Sequence, residues 1–109
     1  MRVNVSEAEK PTISASTVLL IRDGADGLEV FMVVRHHEID SFSGALVFPG
    51  GKVDPEDADA RPYCRGAEGM DENTLTHRVA AVRESFEECG VLLATNKDSD
   101  ALIGAEQLA

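Results

Sequence analysis

The stretch that decides the fold is Arg83-Glu84-Ser85-Phe86-Glu87-Glu88-Cys89-Gly90-Val91. Apolar residues lead into it at intervals of three and four, at Leu75, Val79, Val82, Phe86 and Cys89. Side chains three and four residues apart share one face of a helix. The spacing therefore predicts a helix that begins at about Asn73 or Thr74, as N-cap, and ends at Cys89 before a C-capping glycine, Gly90.

Three carboxylates, Glu84, Glu87 and Glu88, gather on the side of this helix opposite its apolar stripe. They repel one another, and the partial negative charge at the helix C-terminus repels them too, by about 0.3–1 kcal/mol for each effect. A divalent cation would reverse the sign of both effects, and carboxylate-rich oxygen clusters suit Mg²⁺ or Mn²⁺. A plain solvated acidic face is the alternative interpretation.

A second informative segment, Phe48-Pro49-Gly50-Gly51-Lys52-Val53-Asp54, follows an apolar run. Its glycines permit close backbone approaches, and Pro49 restricts the chain, so we predict a rigid loop. Such a loop can present the Gly50 carbonyl to a metal or a backbone N–H, such as that of Gly51, to a phosphate. The cations Arg35, Lys52 and Arg83 are candidates to hold an anion nearby.

Together these two segments resemble the Nudix hydrolase signature. That signature has a glycine, a glutamate six positions later and, after seven more residues, Arg-Glu-U-x-Glu-Glu-x-Gly-U, where U is bulky and aliphatic. The matching residues here are Gly51, Arg83, Glu84, Glu87, Glu88, Gly90 and Val91. The resemblance extends over about residues 12–93.

The chain departs from the signature at three places. Asp57 stands at the first glutamate position, Ser85 stands at the first aliphatic position, and 25 residues separate Asp57 from Arg83 where the signature has seven. The excess of 18 residues predicts a loop insertion at about 58–72. An interrupted signature resembles the peroxisomal-type subgroup that acts on coenzyme A and its esters, although Asp40 stands where related enzymes have an arginine.

The resemblance implies an α/β fold of the Nudix type, an α/β/α sandwich with a mixed sheet. We expect residues 1–11 to form a flexible arm and residues 12–109 to form the N-terminal portion of the domain, incomplete at its C-terminus. The sheet would then have an unpaired edge, which pairing into a homodimer would cover.

The resemblance also implies the roles of the residues. Glu87 and Glu88 would be the principal Mg²⁺ or Mn²⁺ ligands, with Glu84 as a further ligand or the base that activates water. The Gly50 carbonyl would complete the metal shell, and Gly51, Lys52 and Arg35 would bind substrate. Arg83 would hold the carboxylates in place, supported by Asp57. The implied reaction is hydrolysis of a diphosphate linkage in a nucleoside-diphosphate-linked small molecule, with coenzyme A as one candidate.

Charge and composition limit the classes of partner and the locations that the sequence favours. A net charge of −10 disfavours binding to a nucleic-acid backbone. The sequence has neither an apolar run of membrane-spanning length nor an apolar leader near Met1, so we expect a cytoplasmic protein without membrane contact. A catalytically silent Nudix-like module that binds a ligand or partner is the alternative function.

Overall fold

The computed structural model describes residues 12–34, 44–104 and 106. Arg35, Asp40 and the predicted N-terminal arm lie outside the described residues. The described chain is α/β, as the sequence predicts. Its elements in order are β1 (Ala15–Thr17), β2 (Ile21–Gly24), β3 (Gly27–Val30), β4 (Val33–Val34), β5 (Leu46–Val47), β6 (Gly50–Lys52), a 3₁₀ helix (Pro55–Tyr63) and α1 (Glu72–Cys89).

The six described strands form three antiparallel pairs, β1 with β6, β2 with β3, and β4 with β5. In the β2–β3 hairpin Gly24 pairs with Gly27 across two turn residues, and Gly27 has a φ of 125°. The expected mixed sheet would contain both parallel and antiparallel pairs. Among the described strands only antiparallel pairs occur.

The glycine segment is a strand rather than the loop that we predicted. Gly50–Lys52 pairs with Ala15–Thr17, with Thr17 opposite Gly50. The reason is steric, because a Cβ on Gly50 would lie 2.3 Å from the Ser16 carbonyl oxygen. Only glycine lets the two backbones approach so closely. Pro49 is fully buried immediately before the strand.

The segment predicted as an inserted loop, 58–72, is partly helical. The 3₁₀ helix reaches Tyr63, and α1 begins at Glu72. Arg61, in the 3₁₀ helix, donates hydrogen bonds to the carbonyls of Ala67 and Met70 in the connecting segment, at 3.0 and 2.8 Å. These bonds fold the segment back on itself, and Ala67 is buried.

The helix α1 packs against β1, β6 and the 3₁₀ helix. Its buried residues are Leu75, Ala80 and Ser85, whereas Phe86 is 43% exposed. The predicted apolar stripe is thus only partly buried. Apart from Leu75, the buried positions of α1 carry small residues, Ala80 and Ser85.

Large apolar side chains remain exposed on the strands and the segments between them. They include Leu19, Ile21, Leu28, Val30, Phe31, Val34 and Leu46. Beyond α1, residues 91–94 form no strand, and Thr95 pairs with Leu102 in an isolated bridge. Neither helix in the described part of the chain combines the length and apolarity that a membrane span requires.

Candidate functional site

Helix capping places the three glutamates. The Asp71 carboxylate accepts a hydrogen bond from the Thr74 amide at 3.1 Å, so the N-cap is two or three residues earlier than predicted. At the other end Gly90 adopts the left-handed conformation, with a φ of 71°, as expected for a C-capping glycine. Glu84, Glu87 and Glu88 consequently lie on the last two turns of α1.

Arg83 is the centre of the hydrogen-bond network at this end of the helix. Its Nε donates to Asp57 Oδ1 at 2.9 Å, and its Nη2 donates to Asp57 Oδ2 at 3.1 Å. The same Nη2 donates to the Lys52 carbonyl at 2.8 Å, and Asp54 Oδ2 lies 3.5 Å away. A planar guanidinium matches a carboxylate in this two-bond geometry, which ties α1 to the 3₁₀ helix and to β6.

The structure therefore returns Asp57 to the site in spite of the 18-residue insertion. Asp57 is only 4% exposed, and it also accepts a hydrogen bond from the Asp54 amide at 2.8 Å. Arg83, through its hydrogen bonds, holds the pKa of the Asp57 carboxyl below its ordinary value. The same carboxylate raises the pKa of Arg83, so both groups are charged at neutral pH.

The remaining guanidinium nitrogen of Arg83 joins two of the glutamates. Its Nη1 donates to Glu84 Oε1 at 3.0 Å and to Glu87 Oε2 at 3.2 Å. The Glu84 side chain is 15% exposed, and that of Glu87 is 55% exposed. The positive charge offsets the repulsion between these carboxylates, which the sequence alone leaves uncompensated.

Gly51 makes room for Glu84. A Cβ built on Gly51 would lie 2.4–2.6 Å from the Glu84 carboxylate atoms. The absence of a side chain on β6 thus allows this carboxylate to lie directly against the strand backbone. Lys52 follows on the same strand with an exposed side chain, and its carbonyl is the group that contacts Arg83.

A cleft of about 620 Å³ lies beside this arrangement. Its polar side is lined by β1, Gly50, Gly51 and Glu88, and its apolar lining comes from β4, Val47 and Phe48. A second cleft, of about 750 Å³, lies on the β2–β3 hairpin and contains none of the predicted site residues. The first cleft is the better candidate because the Glu88 carboxylate and the backbone of Gly50 and Gly51 border it.

Two serines have structural roles that sequence reasoning missed. Ser16 Oγ donates to the His77 carbonyl at 2.6 Å, which fastens β1 to α1. Ser85, at the departure from the family signature, is completely buried and donates to the Ala81 carbonyl at 2.8 Å. A serine hydroxyl in a helix can donate a hydrogen bond to a carbonyl of the preceding turn, so a small polar residue is tolerated at this buried position.

The donor set suits a hard divalent cation in its chemistry. Glu84, Glu87 and Glu88 supply only oxygen ligands, and Gly51 lies directly against the Glu84 carboxylate. Over the described ranges, however, no group of three or more acidic, histidine or cysteine side chains is already arranged as a metal site. Arg83 occupies the space between two of the carboxylates instead.

Comparisons with known proteins point to one family. The chain is 33% identical over 86 residues to "Peroxisomal coenzyme A diphosphatase ndx-8" of Caenorhabditis elegans, a match covering 79% of this chain and 28% of the relative. It is 29% identical over 83 residues to "Probable nudix hydrolase C6G9.05" of Schizosaccharomyces pombe, covering 76% of this chain and 23% of the relative. No family model matches the chain.

A solved structure shows the same relationship. A NUDIX hydrolase from Alicyclobacillus acidocaldarius superposes with a TM-score of 0.67 at 36% identity, over 79% of this chain and 40% of that protein. The chain thus spans less than half the length of each of these three relatives. The likeness extends to both sequence and fold over most of the described residues.

Proposed function

Because this chain belongs to the Nudix hydrolase family, we propose that it carries the divalent-cation site of an enzyme that hydrolyses a diphosphate linkage in a small molecule. One observation supports this most directly. The structure brings Arg83, Glu84 and Glu87 into one network beside Gly51, and Glu88 borders the adjoining cleft. Arg83, Glu84, Glu87 and Glu88 are all residues that match the second half of the family signature.

Glu87 and Glu88 are the proposed principal ligands, with Glu84 as a third ligand or as the base for the attacking water. The Gly50 carbonyl is the proposed backbone ligand, since Gly50 borders the same cleft as Glu88. Mg²⁺ or Mn²⁺, when bound, would neutralise charge on the diphosphate and lower the pKa of a coordinated water.

The chain's own residues do the positioning. Asp57 and the Lys52 carbonyl hold the guanidinium of Arg83, and Arg83 in turn donates hydrogen bonds to Glu84 and Glu87. If Glu84 is the base, its contact with Gly51 orients its carboxylate. Lys52, whose side chain is exposed, and Arg35 are the proposed contacts to the phosphates.

Coenzyme A and its esters are the proposed first substrates to test, because one relative carries that description. The apolar wall of the cleft would contact the organic part of the substrate. A homodimer and a cytoplasmic location remain predictions from the sequence, and one relative is described as peroxisomal.

The test is hydrolysis of coenzyme A, an acyl-coenzyme A, NADH, ADP-ribose and a nucleoside triphosphate, with and without Mg²⁺. We expect Glu87→Gln to lower metal-dependent hydrolysis at least about 100-fold, because it removes a ligand charge from the cation. Glu72→Gln, on the first turn of the same helix and far from the network, is the matched control and should retain wild-type turnover.

Wild-type hydrolysis by Glu87→Gln would contradict the site assignment. Cation binding without turnover of any compound in the panel would favour the alternative function, a silent Nudix-like binding module.

A further inference from the structure

The inference concerns the position of one guanidinium nitrogen, and it rests on the proposed function. Arg83 Nη1 donates to both Glu84 and Glu87, which are two of the three proposed ligands of the cation. The guanidinium therefore holds the oxygens that a metal ion would need. Its other two nitrogens are engaged elsewhere, with Asp57 and the Lys52 carbonyl.

We propose that Arg83 is an internal counter-cation that competes with the divalent metal ion for Glu84 and Glu87. Metal binding then requires Arg83 Nη1 to give up these two carboxylates. Nε and Nη2 keep their bonds to Asp57 and Lys52, so the side chain stays in place while one of its nitrogens is released.

Electrostatic repulsion disfavours an arrangement in which the metal ion and Arg83 bind the same carboxylate oxygens of Glu84 and Glu87. Divalent metal ions of this kind lie about 2.1 Å from their oxygen ligands, so an ion on Glu84 Oε1 would be within about 5 Å of Arg83 Nη1. Like charges at that separation repel strongly in a partly buried site. The Arg83 side chain is 23% exposed, so solvent screens this repulsion only in part.

The same arrangement explains how an acidic helix end is stable without a cation. Three carboxylates on the last turns of α1 repel one another and the helix dipole. Arg83 compensates two of them, and Asp57 fixes the guanidinium where it can do so. The network thus stabilises the metal-free helix and lowers the affinity for the metal by the same contacts.

A charge-conserving substitution separates competition from mere orientation. In Arg83→Lys, a single ammonium can satisfy the buried Asp57 but cannot also reach both glutamates in the geometry of the guanidinium fork. If Arg83 competes, Arg83→Lys should bind Mn²⁺ about five-fold more tightly, the equivalent of about one hydrogen bond. If Arg83 only orients the ligands, the affinity should fall instead.

The binding assay is Mn²⁺ titration followed by electron paramagnetic resonance, with Mg²⁺ calorimetry on the same samples. Arg78→Lys is the matched control, since Arg78 is exposed on the same helix, and it should leave the affinity unchanged. Circular dichroism checks that each variant is folded. Unchanged or weaker Mn²⁺ binding by a folded Arg83→Lys overturns the proposal.

A measurement on the wild-type protein covers the case in which Arg83→Lys does not fold. Arginine side-chain NMR should show the Arg83 Nη1 protons exchanging faster once Mg²⁺ is added, with the Nε proton still protected by Asp57. Metal binding with both signals unchanged refutes the competition and leaves the proposed function standing. No detectable binding of Mn²⁺ or Mg²⁺ refutes the proposed function and this inference together.

Discussion

Replacing Asp57 by asparagine tests the contact that connects the 3₁₀ helix to the candidate site. Asp57 Oδ2 accepts from Arg83 Nη2 and from the Asp54 amide, and Oδ1 accepts from Arg83 Nε. An asparagine keeps most bonds by placing its oxygen at the Oδ2 position. Its NH₂ group then faces the Nε–H of Arg83, so one charge-assisted bond is replaced by two opposed donors.

The expected cost follows from this geometry. A hydrogen bond to a charged group contributes about 1.5–3 kcal/mol, and breaking a buried ion pair costs about 3–5 kcal/mol. Because asparagine retains the other acceptor and Arg83 is partly solvated, we expect a loss of about 2–3 kcal/mol in the free energy of unfolding at neutral pH. Asp59→Asn, at an exposed position of the same 3₁₀ helix, should change it by less than about 0.5 kcal/mol.

The pH dependence carries a definite sign. The folded pKa of Asp57 lies below its ordinary value of 3.8, mainly because of the hydrogen bonds from Arg83. The stabilisation is therefore complete above pH 3.8 and is lost as the pH falls through the lower folded pKa. Asp57→Asn lacks this term, so the difference between variant and wild type should shrink towards acid.

Urea unfolding of wild type, Asp57→Asn and Asp59→Asn at neutral pH and near pH 3 measures these quantities. A loss below about 0.5 kcal/mol for Asp57→Asn would refute the reasoning about the buried pair. A difference of the same size at both pH values would refute the assignment of the lowered pKa.

Two further predictions concern a close contact and a loop. Gly51→Ala should weaken Mn²⁺ binding about 10-fold with little loss of stability, because the new Cβ displaces the flexible end of Glu84; unchanged affinity in the same titration would contradict this. Arg65 donates to three backbone carbonyls and one carboxylate of the loop 96–100, so Arg65→Met should speed amide hydrogen exchange in that loop. Arg22→Met, at an exposed arginine, is the control. Equal amide hydrogen exchange of the loop 96–100 in both variants would contradict the prediction that Arg65 stabilises this loop.

Local features of the sequence predicted the helix and the identity of the acidic cluster. Apolar spacing and the C-capping Gly90 depend on neighbours within a few residues, so they could be recognised without a fold. The N-cap is Asp71, two or three residues before the predicted Asn73 or Thr74. Its side chain accepts a hydrogen bond from the Thr74 amide, and an aspartate immediately before a helical segment is a usable N-cap signal.

Contacts between distant parts of the chain had to come from the tertiary structure. The sequence predicted Gly50 and Gly51 in a loop, since Pro-Gly-Gly usually marks a turn. The pairing with β1, in which Gly50 meets Ser16, makes this segment a strand. Likewise the buried face of α1 depends on the elements that pack against it. The apolar spacing alone does not predict that Phe86 is exposed.

The sequence by itself determined which candidate residues lie together, because three glutamates and an arginine on consecutive helical turns are a local property. Only the tertiary structure decided how their charges are balanced. Asp57 reaches Arg83 from 26 positions away because the 3₁₀ helix and the Arg61 hydrogen bonds fold the intervening segment back. The spacing of residues along the chain does not predict this contact between Asp57 and Arg83. It results from packing between the 3₁₀ helix and α1, which lie close in space although they are separated in sequence.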